Sequence, residues 1–192
     1  MKETIAIIAA LLAFIGNISY LKAVYKNSVK PHPYSWFIWS IVSMTTFFGG
    51  LVKGAGIGAL PTGVAEGFTI IIFIFSLKSL FHKKDRSNVR FIDHIFLIIA
   101  VLGLIPWILT KDPTISVIVV VLVDLIAFIP TFRKTWFHPN TEQPLLYRMN
   151  VIRHILTLFS LEAYNIATTF HSIAMICTNT LMLLFIKRKQ DR

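Results

Sequence analysis

Residues 113–136 of the chain read PTISVIVVVLVDLIAFIPTFRKTW, and the first 20 of them contain a single charged side chain, Asp124. A helix that crosses a bilayer needs about 20 consecutive, mostly apolar residues. The stretch ends in Arg133 and Lys134, basic residues of the kind that collect on the cytoplasmic side of a membrane. We therefore predict a transmembrane helix that carries one acidic group at bilayer depth.

Six further apolar runs, separated by turn and charge signals, share this character. The predicted helices are Thr4–Tyr25, Tyr34–Val52, Leu60–Leu80, Phe91–Leu109, Pro113–Trp136, Leu145–Tyr164 and Ile166–Ile186. Only 15% of the 192 residues are charged, against roughly 25% in an ordinary soluble domain. The composition excludes a soluble fold, and seven spans leave no room for a separate catalytic or nucleic-acid-binding domain. The predicted fold class is an all-α integral membrane protein.

The basic residues are distributed unevenly over the predicted connections. Of the 19 Lys and Arg residues, 15 fall on one side, Lys2, Lys53 and Lys111 fall on the other, and Arg153 lies within a helix. Because Lys and Arg accumulate in cytoplasmic loops, the N-terminus is predicted outside and the C-terminus in the cytoplasm. The net charge of +10 then faces anionic lipid headgroups, so a nucleic-acid partner is not required to explain it.

The chain contains an internal repeat at an offset of 112 residues. The aligned positions are Ser19, Tyr20, Lys22, Tyr25 and Lys26 with Thr131, Phe132, Lys134, Phe137 and His138, and, after a one-residue slip, Pro33 and Trp36 with Pro144 and Tyr147. Chance similarity between apolar helices would not align the lysines and prolines. The repeat predicts a first triple-helix bundle in residues 1–83, a linker helix in 84–112 and a second triple-helix bundle in 113–192. The extra crossing makes the two bundles parallel.

Two stretches resemble the signature segments of the PQ-loop and SWEET transporter superfamily. They run from Ile18-Ser19-Tyr20-Leu21-Lys22 to Lys30-Pro31-His32-Pro33-Tyr34-Ser35-Trp36, and from Pro130-Thr131-Phe132-Arg133-Lys134 to Pro139-Asn140-Thr141-Glu142. The chain looks like a bacterial seven-helix branch of this superfamily. The resemblance implies seven transmembrane helices in a 3+1+3 arrangement, alternating access and a place in the bacterial inner membrane. The family's Pro-Gln pair is replaced by Ile18-Ser19 in the first repeat, so a proline hinge is expected only at Pro130.

Charged side chains at bilayer depth are costly unless they are paired or hydrated, so each is a candidate site residue. Asp124 lies midway along the fifth predicted helix, and Arg153 lies within the sixth, on a face shared with Asn150. The Arg153 side chain is long enough to reach Asp124. A buried Asp124–Arg153 ion pair and direct contact with a substrate are both compatible with the sequence.

The resemblance bears on two further positions, one that matches the family and one that departs from it. Sugar-transporting relatives are thought to use an Asn pair and a Trp pair at mid-membrane. Asn179 matches that pattern, whereas Glu66 stands near the place of the other Asn and points to a cationic or proton-coupled ligand. Trp36 and Trp39 share a helix face, where they form either an interfacial aromatic belt or a stacking surface for a ring-shaped ligand.

The sequence therefore predicts a small-solute transporter for a sugar or another small, polar, ring-bearing metabolite. Its predicted substrate site consists of Trp36, Trp39, Glu66, Asp124, Asn150, Arg153 and Asn179, with Pro130 as the hinge. The alternative is a non-transporting membrane receptor or scaffold of similar seven-helix fold. No recognisable catalytic motif or metal-ligand spacing occurs in the sequence, so neither enzymatic activity nor a cofactor is expected. The expected partners are a small-molecule substrate and the lipid bilayer, and self-association is left open.

Overall fold

A computed structural model describes residues 1–77, 89–103, 109 and 112–190, and the regular structure within these residues is entirely helical. The helices are α1 (Lys2–Tyr25), α2 (Pro33–Val52), α3 (Leu60–Ser76), α4 (Phe91–Gly103), α5 (Pro113–Phe137), α6 (Pro144–Ser160) and α7 (Ile166–Gln190). Short 3-10 turns occupy Gly56–Ala59 and Pro139–Thr141. The predicted end of the third helix at Leu80, residues 104–108 of the predicted fourth helix and the boundary at 83/84 lie outside the described residues.

Five stretches within the described residues are long and apolar enough to cross a membrane, which supports a multi-pass helical membrane protein. They are Lys2–Tyr25, Pro33–Val52, Gly56–Ser76, Thr114–Phe137 and Ile166–Lys187. Large apolar side chains also cover the outside of the helices, among them Leu11, Leu122, Phe159 and Leu184. With 17 residues, α6 is at the short end of the range for a span, and α4 has 13 described residues, so crossing by these two helices stays a prediction.

Six of the helices pack as a ring. Around it, α1 contacts α3, α3 contacts α2, α2 contacts α5, α5 contacts α7, α7 contacts α6, and α6 returns to α1. The remaining helix, α4, packs against α5 and α2. Because α7 lies between α5 and α6, these two helices do not pack directly on each other.

Contacts between helix ends fix the directions of α1, α5, α6 and α7 in the ring. At one end, which we call the basic end, Tyr20 near the end of α1 and Lys134 near the end of α5 both contact Glu142, just before α6. At the other, the far end, Lys2 at the start of α1 donates a hydrogen bond of 2.6 Å to the carbonyl of Leu161, just after α6. Phe185, near the end of α7, packs on Trp136 with ring centroids 5.4 Å apart. The start of α1 and the end of α7 therefore lie at opposite ends of the ring.

The sixth helix is shorter than the sequence predicts, because it ends at Ser160 rather than at Tyr164. Leu161 adopts an extended conformation with φ −61° and ψ 140°. Its side chain is buried against Ala55 and Ala59, and its carbonyl accepts the hydrogen bond from Lys2. These tertiary contacts end the helix four residues early, although the sequence stays apolar through Leu161.

A reciprocal cap starts the last helix. The backbone N–H of Thr168 donates to the side-chain oxygen of Asn165 at 3.1 Å, and the backbone N–H of Asn165 donates to the Thr168 hydroxyl, also at 3.1 Å. This is the geometry of a capping box, which satisfies two N–H groups that the first turn of a helix leaves unpaired. The Asn165-x-x-Thr168 spacing fixes the start of α7 at Ile166.

Pro130 lies inside α5, which continues as a helix on both sides of it. Proline has no backbone N–H, so the usual hydrogen bond to the carbonyl of Ile126 is absent. Next to this gap, the Ser35 hydroxyl from α2 donates to the Ala127 carbonyl at 2.7 Å and accepts from the Thr131 hydroxyl at 2.9 Å. The turn of α5 that lacks a backbone hydrogen bond is thus hydrogen-bonded directly to α2.

Candidate functional site

A cavity lies inside the ring and is lined by side chains from all six ring helices. About 60 Å³ of it is open to the centre of a water-sized sphere, a measure on which about 10–15 Å³ is enough for one water. Its polar lining includes Asn17, Thr62, Thr69, Asp124, Asn150, Arg153, His154, His171 and Asn179. A polar cavity among apolar helices is the kind of place where a membrane protein binds a polar ligand.

Six of the seven predicted site residues line this central cavity: Trp36, Trp39, Asp124, Asn150, Arg153 and Asn179. Glu66 does not. On α3 the cavity-facing residues are Thr62, Ala65 and Thr69, and Glu66 lies at the edge of that face. Its side chain is buried close to Ser43, and among the described residues neither carboxylate oxygen has a hydrogen-bond partner.

Arg153, Asn150 and Asn179 form a chain of hydrogen bonds between α6 and α7. Nε of Arg153 donates to Oδ1 of Asn150 at 3.0 Å, and Nδ2 of Asn150 donates to Oδ1 of Asn179 at 3.2 Å. Nδ2 of Asn179 donates in turn to the Met175 carbonyl at 2.8 Å. Nη1 of Arg153 is buried and has no hydrogen-bond partner within the described part of the chain.

The Asp124–Arg153 ion pair that the sequence allowed is not formed. The basic group that lies within ion-pair distance of Asp124, among the residues described, is His171, whose Nε2 is 3.6 Å from Oδ2 of Asp124. The reason is the helix order, because α7 carries His171 and lies between α5 and α6. The His171 ring in turn lies 5.4 Å from the His154 ring, so acidic and imidazole groups line one side of the cavity.

The two predicted tryptophans belong to the interior. Trp36 is only 4% exposed, which overturns the interpretation that it anchors the helix at the lipid interface. Its ring centroid is 5.2 Å from that of Tyr20 and 5.2 Å from that of Trp39, and Trp39 lies 4.6 Å from Phe128. The indole N–H of Trp39 is buried and, among described residues, without a hydrogen-bond partner. Aromatic surface therefore lines the basic-end side of the cavity.

Below this aromatic layer, a buried polar cluster closes the basic end. The Glu142 carboxylate accepts hydrogen bonds from Tyr20 at 3.1 Å and Tyr147 at 2.8 Å and forms a salt bridge with Lys134. The Lys134 ammonium also donates to the carbonyl of Lys30, in the connection between α1 and α2. We call Tyr20, Lys134, Glu142 and Tyr147 the basic-end seal. The sequence did not predict this cluster, since no periodic pattern pairs residues that lie in different elements.

The far end is closed differently, by apolar packing. Ala55, Ala59 and Leu161 are buried together, with Phe47 and Leu158 against them, and we call the three buried residues the far-end plug. All three also line a second, smaller cavity, which shares Thr62 and His171 with the central one. The two cavities therefore adjoin at Thr62 and His171, on the far-end side of the central site.

Helix α4 is attached to the ring by a buried carboxylate. Asp93 accepts hydrogen bonds from Nε of Arg133 at 3.1 Å and from the backbone N–H of Arg90 at 2.7 Å. Nε2 of His32, just before α2, lies 3.4 Å from the same carboxylate. Burial lowers the pKa of His32 below its ordinary value, with the opposing effect of Asp93 smaller. We call Asp93, His32 and Arg133 the linker clamp.

The central cavity has the chemistry of a binding site for a polar solute. It presents a guanidinium, amides and an indole N–H. Nη1 of Arg153 and the indole N–H of Trp39 are buried without a partner among the described residues, and each such group costs about 1–3 kcal/mol. A ligand or water that hydrogen-bonds to these groups would remove that cost. Comparisons with protein-family models, with curated proteins and with solved structures give no match to this chain.

Proposed function

We propose that this protein is a small-solute carrier of the bacterial inner membrane. The observation that carries the proposal is the central cavity, in which buried polar groups from six helices converge between a polar seal at one end and an apolar plug at the other. Intramembrane polar groups are expensive, and they are retained where a substrate or ion passes. A purely structural bundle would be more stable with apolar side chains at these positions.

The architecture that fits this function is two parallel triple-helix bundles in a 3+1+3 arrangement. The first bundle would be α1, α3 and α2, the second α5, α7 and α6, and α4 would be the linker. Two features support this division: in each triplet the third helix packs between the other two, and α1 and α5 both end at the basic end. The resemblance to the PQ-loop and SWEET superfamily and the excess of basic residues at that end favour an outside N-terminus and a cytoplasmic C-terminus.

Transport would proceed by rocking one triplet against the other about the cavity. The triplets meet at α1 against α6 and at α2 against α5, so these two interfaces would open and close. Breaking the basic-end seal would open the cytoplasmic side, and separating the far-end plug would open the other. Pro130 would serve as the hinge of the second triplet, because its turn lacks one helical hydrogen bond.

Uptake into proteoliposomes tests the proposal. Purified protein is reconstituted and assayed with radiolabelled sugars, amino acids, nucleosides and small organic acids, with and without a pH gradient. We expect saturable uptake of at least one class above protein-free vesicles. Uptake should be lost in Asn179→Ala, which removes a cavity amide, and kept in Asn140→Ala, which alters an exposed amide.

Two outcomes would count against a carrier. One is the absence of uptake for every solute class by protein that is folded and correctly inserted. The other is saturable binding without uptake, with the cavity open to one membrane face only, which is the behaviour of a receptor.

A further inference from the structure

We propose that the transported solute is a small carboxylate anion with a flat, apolar body, and that Arg153 binds its carboxylate. This inference rests on the proposed function, since it names the substrate class of the same cavity. It starts from a buried cation that has no paired anion inside the ring. Arg153 is 6% exposed and lines the cavity, yet no carboxylate of the described residues lies within 4.0 Å of its guanidinium.

Neither described carboxylate near the cavity forms an ion pair with Arg153. Asp124 lies beside His171 of α7, and its carboxylate is more than 4.0 Å from the Arg153 guanidinium. Glu66 is at the edge of the cavity-facing side of α3, next to Ser43. The polar contact that holds Arg153 is the Asn150 oxygen, which occupies Nε and leaves Nη1 without a partner among the described residues.

This arrangement favours a carboxylate as the missing partner. A guanidinium presents a planar set of donors that matches the two oxygens of a carboxylate. Removing a charge from water is expensive unless a charge of opposite sign compensates it, which the hydroxyls of a neutral sugar do not do. A phosphate dianion fits less well, because Arg153 is the only Lys or Arg residue among the described cavity lining, which also contains Asp124.

The aromatic layer indicates that the part of the solute beyond its carboxylate is flat and apolar. Trp36, Trp39, Phe128 and Tyr147 line the cavity toward the basic end. Tyr147 and Arg153 are six residues apart on α6, or about 9 Å along the axis at 1.5 Å per residue. A solute with its carboxylate at Arg153 therefore places its body against aromatic faces, which bind flat apolar groups over a large area.

Paired probes test the inference on full-length protein in nanodiscs. Binding of benzoate and indole-3-acetate is measured by equilibrium methods beside their neutral amides, benzamide and indole-3-acetamide, and beside phenyl phosphate. The same measurements are made on Arg153→Gln, on Arg153→Lys and on Arg148→Gln, which changes an exposed arginine of the same helix.

We expect at least one acid to bind wild type about 10- to 100-fold more tightly than its amide, the range for a hydrogen-bonded charged group. Arg153→Gln should abolish this preference, Arg153→Lys should retain part of it, and Arg148→Gln should match wild type. If Arg153→Gln does not fold, the acid and amide pair on wild type and the Lys variant decide the matter.

The inference is overturned if no acid binds, if amides bind as tightly as acids, if phenyl phosphate binds most tightly, or if Arg153→Gln keeps the preference for acids. Its failure is distinguishable from failure of the proposed function. If the protein takes up a neutral sugar or nucleoside but binds no acid, the carboxylate inference is refuted and the proposed carrier function stands. If an acid binds at Arg153 but no solute is taken up, the binding-site inference stands and the proposed transport function is refuted.

Discussion

Lys134 and Glu142 form a salt bridge in which both side chains are buried, with 1% and 0% of their surface exposed. The pair joins the last turns of α5 to the segment before α6, and Lys134 also reaches the Lys30 carbonyl in the first half of the chain. Buried charges are tolerated only when the remaining hydrogen-bonding capacity is satisfied, and Tyr20 and Tyr147 do this for Glu142. One cluster therefore holds both halves of the chain together at the basic end.

Removing one member of this pair should destabilise the fold strongly. Glu142→Ala leaves the Lys134 ammonium buried without its counter-charge, and we expect a loss of about 3–5 kcal/mol in the free energy of unfolding. Denaturant titration in mixed micelles measures it. Glu162→Ala, which alters an exposed carboxylate, should change the same quantity by less than about 0.5 kcal/mol. Equal effects of the two variants would show that the seal is not stabilising.

The linker clamp predicts that acid weakens the fold through His32. Because burial lowers the pKa of His32, the folded chain holds fewer protons there than the unfolded chain, whose His titrates near 6.5. The stability that depends on neutral His32 is present above about pH 6.5 and falls below it, by at most about 1.4 kcal/mol per pH unit. We expect unfolding measured between pH 7.5 and 5.5 to show a smaller loss in His32→Gln than in wild type.

The same scan on His138→Gln supplies the control, because His138 is exposed. That variant should follow the pH dependence of wild type. Identical slopes for His32→Gln and wild type would contradict the role given to His32.

The contact between Ser35 and the proline turn of α5 predicts that two serines of α2 contribute differently to the free energy of unfolding. Ser35 donates to the Ala127 carbonyl of α5, whereas Ser40 donates at 3.0 Å to the Trp36 carbonyl of its own helix. Ser35→Ala should lower the free energy of unfolding by about 1 kcal/mol, because it removes an interhelical hydrogen bond beside a missing one. Ser40→Ala should have a smaller effect. A larger loss from Ser40→Ala would refute the link between α2 and Pro130.

Close packing of α1 on α6 predicts opposite effects at two helical glycines. A Cβ at Gly16 would lie 2.9 Å from the Cβ of Met149, whereas a Cβ at Gly67 would meet nothing within 4 Å. Gly16→Ala should cost about 1–3 kcal/mol, because it forces the two helices apart. Gly67→Ala should be neutral or stabilising by up to about 1 kcal/mol, since glycine is a poor helix former. Both are measured by unfolding in micelles, and a stabilising Gly16→Ala would contradict the packing.

Most helix positions follow from the sequence, because long apolar runs and prolines at helix starts are local signals. The described helices α1, α2 and α5 match their predicted bounds at one end and differ from them by one or two residues at the other. The end of α6 could not be predicted, since Leu161 leaves the helix to pack on Ala55 and Ala59, more than 100 residues away in the chain. The sequence around Leu161 therefore does not predict those contacts.

The sequence identified some of the residues that line the cavity but not how they pair. Helical spacing and the cost of intramembrane polar groups single out Asp124, Asn150 and Arg153, and the family resemblance adds Asn179; all four line the cavity, whereas Glu66 does not. Which of them pair depends on the order of the helices around the ring, which places His171 rather than Arg153 beside Asp124. The basic-end seal was not predicted for the same reason, because Tyr20 lies more than 110 residues from the other three members along the chain.

Accessibility of one cavity residue from both membrane faces tests the central claim most directly. In a Cys177→Ser background, which removes the only cysteine of the chain, Ser43→Cys places a thiol in the cavity lining. Leu122→Cys, 51% exposed on the outside of α5, is the control for a thiol facing lipid. A charged, membrane-impermeant thiol reagent is applied to either face of oriented vesicles. We predict labelling of Ser43→Cys from both faces, slowed by bound solute, and none of Leu122→Cys. Labelling of Ser43→Cys from one face only, or from neither, would contradict alternating access.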